Sequence, residues 1–264
     1  MKTLKNWTLQ KQSAHHVELL VDEQHTLCLY VLEANLFRVL IKRKGELALA
    51  RTWSIAPGED VPWEGRSRED LSGFSLPAWR LKQQQETLTV ESEQLRVTVH
   101  QPLWLEWHYR NEAGEWQWLA GDRPTSAYQI NAHGDGVAHY LSRKKEERFY
   151  GLGEKAGNLQ RTGQRYEMRN LDAMGYNAAS TDPLYKHVPF TLTRRDDVSY
   201  GLFYDNLSSC WLDLGNEIDN YHTAYRRWQA EAGDIDYYIF TGARALDVTK
   251  AFVRLTGKTL FGPK

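Results

Sequence analysis

The side chains with the most chemical capacity lie between Arg148 and Phe190. Glu154 and Lys155 follow Gly151-Leu152-Gly153. Asp172 sits in Asn170-Leu171-Asp172-Ala173-Met174-Gly175-Tyr176-Asn177. Asp182-Pro183, Tyr185 and His187 come next, before Val188-Pro189-Phe190. Loops longer than about 12–15 residues are uncommon unless functional or disordered. Tyr, Leu and Phe are frequent in this one, which argues for order. A long ordered loop carrying carboxylates and aromatic rings builds a site. Each residue also has a plain structural reading: Glu154 and Lys155 as a buried pair or turn anchor at a strand end, Asp182-Pro183 as a turn initiator. Tyr176 and Tyr185 either flank a ligand or pack the loop. His187 reads as a satisfied structural histidine, although its near-neutral pKa leaves acid–base work open.

Other chemistries have no signature. The nine histidines are scattered, and His15-His16 have no cysteine or further histidine at ligand spacing, so no metal is expected. No phosphate-cradling glycine motif opens a helix, and no cofactor is expected. Cys28 and Cys210, the two cysteines, sit in apolar runs and read as buried thiols of a reducing compartment. No apolar h-region follows the N-terminus and no window is long and apolar enough for a span, so no membrane partner is expected and the cytoplasm is the default location. The 33 basic and 34 acidic residues are interspersed, which excludes a clustered basic face for nucleic acid. Arg143-Lys144-Lys145-Glu146-Glu147 reads as a solvated connection.

Strands must position the loop. Thr87–Val90 and Leu95–Val99 alternate apolar and polar residues around Glu91-Ser92-Glu93-Gln94, a hairpin with one buried face. Leu36–Lys42 alternates likewise. Leu103–Tyr109 turns through Asn111-Glu112-Ala113-Gly114 into Trp116–Leu119, and Tyr200–Tyr204 and Tyr237–Phe240 are aromatic-rich strands. Arg194-Arg195-Asp196-Asp197 is a polar turn. Segment 51–80, with Trp53, Pro57-Gly58, Trp63 and Trp79, reads as a rim loop or a packed Ω-type loop. Val248, Ala251, Phe252 and Leu255 share one helical face, with Gly257 as the stop. The expected fold is all-β: a large antiparallel β-sandwich with one C-terminal helix. Most of the ten tryptophans and fourteen tyrosines are expected in its core, although aromatic rings also stack on the C–H faces of sugars.

Several of these segments resemble the N-terminal domain of glycoside hydrolase family 31, the α-glucosidase and α-xylosidase family. The likeness lies in Phe149-Tyr150-Gly151-Leu152-Gly153-Glu154-Lys155, Asn170-Leu171-Asp172, Asp182-Pro183-Leu184-Tyr185, Pro189-Phe190, Tyr200–Asn206, Gly233-Asp234-Ile235-Asp236-Tyr237-Tyr238 and Leu255-Thr256-Gly257. Arg51-Thr52-Trp53 and Ala56-Pro57-Gly58 are weaker additions. The resemblance implies a galactose mutarotase-like supersandwich over residues 1–245. Residues 246–264 would hold the helix and the start of a linker to a catalytic (β/α)8 barrel. The chain reads as cut at that boundary, after Gly262-Pro263-Lys264. Both catalytic aspartates would lie in the barrel, so no catalytic residue is assigned here and the chain alone is expected to be inactive.

The resemblance further implies that the Asp172 loop reaches over the barrel mouth. Asp172 would bind sugar hydroxyls, each charge-assisted bond contributing roughly 1.5–3 kcal/mol, with Tyr176 beside it. Arg169 stands where many relatives carry a tryptophan. Trp211-Leu212-Asp213-Leu214-Gly215-Asn216-Glu217 looks like the family's nucleophile motif, but has an extra residue before the glutamate and lies inside the strand pattern. A retaining glycosidase holds two carboxyls about 5–5.5 Å apart; Asp213 has no evident partner and is read as a strand-end residue. The expected function is therefore a non-catalytic domain of a retaining α-glucosidase-type enzyme, its partners an α-glucoside substrate and its own barrel. The barrel-facing surface, left bare, would favour a homo-oligomer. Two alternatives stand: a free-standing carbohydrate-binding module, and an aldose 1-epimerase, whose chemistry needs a glutamate base and a histidine acid.

Overall fold

The computed structural model describes residues 1–57 and 60–258. Gly58 of the Ala56-Pro57-Gly58 likeness and the tail 259–264 lie outside the described residues. An eight-stranded antiparallel sheet forms one layer, in the order Arg148–Gly153, His187–Arg195, Val198–Tyr204, Ile235–Gly242, Leu36–Lys42, His25–Glu33, His16–Val21 and Trp7–Gln12. Facing it are a six-stranded sheet (Lys2–Thr3, Tyr128–Ile130, Val137–Ser142, Tyr225–Ala230, Cys210–Asp213, Arg165–Met168) and a five-stranded one (Trp116–Gly121, Trp104–Arg110, Leu95–His100, Thr87–Glu91, Arg80–Gln83). A bridge between Asp122 and Leu141 joins the facing sheets. This is the expected β-sandwich, and the hairpin pairs Val97 with Val90.

The inner core is filled by one face of each sheet, with Leu19, Val39, Tyr237, Leu105, Tyr128 and Trp228 among its members. The eight-stranded sheet is buried on its other face too. There the helix Ala245–Thr256 packs Val248 and Leu255 against Leu40, Phe190, Tyr238 and Phe240. A sheet covered on both faces loses its alternation, which is why Leu36 to Ile41 are all buried.

The described part of segment 51–80 packs on a further part of that outer face, over the central strands, and leaves the outward residues of Trp7–Gln12 and His16–Val21 exposed or half-buried. Ile55 is buried there, the Ala56 N–H donates to the Leu255 carbonyl at 2.8 Å, and the Leu76 N–H donates to the Leu32 carbonyl at 3.0 Å. The anchor is a buried charge cluster. Arg38 grips Asp236 at two points, each 2.7 Å, between the rings of Tyr30 and Tyr238. Arg68 reaches in from the segment to Asp236 at 2.7 Å and Asp205 at 2.6 Å. Burial works against the Arg38 charge, but Asp236 together with Tyr238 and Tyr30 more than offsets it and holds the guanidinium above its ordinary range.

A second buried network lies between the layers. His139 contacts Asp122 through Nε2 and the Tyr204 hydroxyl through Nδ1, both at 2.8 Å, and its ring stacks between Tyr128 and Tyr237. A third takes in the end of the charge run 143–147, whose Lys144, Lys145 and Glu146 are exposed as a solvated connection should be, while Glu147 is not. Glu147 is buried, accepting from the Tyr200 hydroxyl at 3.0 Å and lying 3.5 Å from Arg195. Arg195, of the polar turn, also stacks over Trp118. Only Glu147, the last residue of the run, plugs the core.

Candidate functional site

The strand Arg148–Gly153 ends in a bulge against His187–Arg195. Gly151, Leu152 and Gly153 all have positive φ (107°, 76° and 78°). A Cβ on Gly151 would meet the Phe190 carbonyl at 2.5 Å, so only glycine fits. Leu152 stays fully buried as a plug. The Gly-Leu-Gly motif thus swings the chain out of the sheet and into the loop.

The loop is held at its base. The Lys155 ammonium lies 2.6 Å from Asp182 and donates to the Glu167 carbonyl, while Asp182 accepts from the Glu167 N–H at 2.6 Å. Lys155 therefore pairs with Asp182 rather than with its neighbour Glu154, which is exposed. Asp182 is more than a turn initiator, since it links three stretches of chain. Inside the loop the Gly157 N–H donates to the Ala178 carbonyl at 2.8 Å, the Tyr185 hydroxyl to the Ala173 carbonyl at 3.2 Å, and the His187 N–H to Asn170 Oδ1 at 3.2 Å. Burial first, and Lys155 next, push the His187 imidazole below its ordinary pKa. Arg169 bridges Glu167 and Glu231, both at 3.0 Å.

Asp172 stands on the outer rim of this scaffold. It is exposed, and its carboxylate has no hydrogen-bond or ion-pair partner among the described residues. Leu171, Met174 and Tyr176 are exposed beside it, Met174 at 89 %. Tyr176 meets Tyr185 edge-on, centroids 6.2 Å apart. The loop thus brings Asp172 and Tyr176 to one surface with an unengaged acceptor and bare apolar groups. A cavity of about 760 Å³ lined by Asn35, Tyr109, Asn111 and Asp197 sits at the opposite end of the sheet and involves neither residue.

Asp213 ends its strand and accepts from the N–H groups of Gly215, Asn216 and Glu217 through one oxygen, a buried turn anchor as expected. Sequence reasoning missed His139–Asp122 and Arg38–Asp236. The one available signal was a charge inside an apolar run, Leu36-Phe37-Arg38-Val39. The His139–Asp122 pair is fully buried and open to no sugar. Among the described residues no cluster of three or more His, Cys, Asp or Glu is arranged to hold a metal, and no helix is long and apolar enough to cross a membrane.

A large antiparallel β-sandwich with a built loop at one end is the class of domain these elements define. Residues 26–213 match the family described as glycosyl hydrolase 31 N-terminal galactose mutarotase-like domain. The chain belongs to that family. It is 36% identical over 118 residues to alpha-glucosidase 2 of Bacillus thermoamyloliquefaciens, covering 45% of this chain and 14% of that protein. It is 33% identical over 134 residues to an alpha-glucosidase of Saccharolobus solfataricus, covering 51% of this chain and 19% of that protein. The chain therefore aligns with under a fifth of each relative's length. Its fold superposes on a Flavobacterium johnsoniae GH31 dextranase complexed with isomaltotriose with TM-score 0.79 and 25% identity, over 100% of this chain and 29% of the other.

Proposed function

We propose that this chain is the non-catalytic N-terminal domain of a retaining glycoside hydrolase acting on α-glucosides. It packs on a catalytic (β/α)8 barrel and presents the Asp172 loop to the sugar. The observation that carries this reading is the unengaged Asp172 carboxylate on a hydrogen-bonded, stapled loop rimmed by exposed Leu171, Met174 and Tyr176. A carboxylate so placed accepts two hydroxyl hydrogen bonds, and the apolar rim suits a covering partner. The α-glucosidase relatives and the isomaltotriose-bound dextranase support the substrate class.

The test begins with the intact mass of the native gene product. A barrel adds about 250 residues, so a product of 30.7 kDa would sink the proposal. In a longer product, Asp172→Asn should lower kcat/KM on α-glucosides by about 10- to 150-fold, the equivalent of one charge-assisted bond. An unchanged kcat/KM would remove Asp172 from the site.

A further inference from the structure

Trp53 and Trp63 project from the ribbon formed by Arg51–Thr52 and Arg66–Ser67. Trp63 is 92% exposed and Trp53 45%. The tip that carries them is built. Arg51 donates to the Gly65 carbonyl at 2.6 Å, the Gly65 N–H to the Pro62 carbonyl at 2.8 Å, and Trp53 Nε1 to the Trp63 carbonyl at 3.0 Å. At its root, Arg68 Nε donates to the Leu49 carbonyl at 2.9 Å, and the same side chain is locked to Asp205. Gly65, at φ +82°, passes so close beneath Trp53 that a Cβ there would lie 2.8 Å from the indole. Trp53 therefore rests on bare backbone, with its one polar atom engaged. What the pair offers outward is π surface.

Trp63 presents on the order of 150–250 Å² and the half-exposed Trp53 roughly half as much. A stable protein–protein interface needs about 800 Å² per partner, so this patch is undersized for one. It is well sized for one or two pyranose rings, whose C–H faces stack on aromatic faces. Asp60 and Glu64, near Trp63 in sequence, are exposed carboxylates able to accept from hydroxyls. The strand ends that carry Asp205 and the Asp172 loop leave the same end of the eight-stranded sheet, so the ribbon is rooted at the loop's end of the domain.

We propose that Trp53 and Trp63 form a stacking platform for a gluco-oligosaccharide, separate from the Asp172 loop; the choice of gluco-configured ligands rests on the function proposed above. The 264-residue chain is titrated with maltoheptaose, isomaltoheptaose and cellohexaose, followed by calorimetry and indole fluorescence. Binding with Kd of about 0.1–10 mM is expected, weakened at least about tenfold by Trp63→Ala and less by Trp53→Ala. Circular dichroism confirms that each variant is folded. No binding up to about 50 mM, or full binding by Trp63→Ala, overturns the platform. So does a Trp63→Ala chain whose only change is its association state in solution, since that assigns the rings to a protein partner. Binding of cellohexaose alone, lost in Trp63→Ala, upholds the platform and counts against the α-glucoside reading.

Discussion

Lys155 and Asp182, 27 residues apart, meet at 2.6 Å and close the loop that carries Asp172. The lysine side chain is 1% exposed and the aspartate 24%, so the contact is shielded on one side only. It holds the far end of the loop against Arg165–Met168 through Glu167.

Asp182→Ala should therefore free the loop more than it destabilises the sandwich. The stranded Lys155 ammonium costs about 1–3 kcal/mol. Amide hydrogen exchange should rise across residues 157–186 and stay unchanged in Val198–Tyr204. Uniform exchange across both would show that the pair has no special hold on the loop.

The Arg38–Asp236 pair predicts a different pattern. Asp236→Asn leaves Arg38 buried with a weakened partner and should cost about 3–5 kcal/mol in urea unfolding. The double change Arg38→Met with Asp236→Leu should cost less than the single one, because it removes both desolvation penalties, while Arg68 keeps Asp205. Segment 51–80 should become protease-sensitive in either variant.

Asp234 sets a pH dependence. Burial, with Asp236 adding to it, pushes its carboxyl up to about 6, although the Ala48 N–H donates to it. The unfolded value is about 3.9, so between about pH 4 and 6 the folded protein holds the extra proton. Stability from this group is complete below about pH 4 and is lost as pH rises through about 6. Comparing wild type with Asp234→Asn by urea unfolding should reveal a loss of about 3 kcal/mol over that window, present in wild type only. Parallel curves would contradict it.

The two cysteines should be silent. Burial pushes the Cys28 thiol up to about 11 and the Cys210 thiol up to about 12. Neither forms appreciable thiolate at neutral pH. Ellman's reagent should titrate no thiol in the folded protein and both in denaturant; a fast native reaction at either would mean that its strand opens.

Local patterns determined a good deal here. Alternation over Thr87–Val90 and Leu95–Val99 marked a hairpin, the stripe Val248, Ala251, Phe252 and Leu255 marked the helix, and Gly151-Leu152-Gly153 marked the exit into the loop. Each is a property of neighbours along the chain, set by side-chain period and allowed φ. Tertiary structure decided which charges go inside. Arg38 finds Asp236 across 198 residues, Arg68 finds Asp205 across 137, and Glu147 finds Tyr200 across 53. It also decided that the eight-stranded sheet is covered twice, which erased the alternation in Leu36–Lys42, and that Trp53 and Trp63 stay outside while Ile55 packs. No local period encodes a partner that distant; burial stabilises such a charge only once the folded chain has brought its counterion to it.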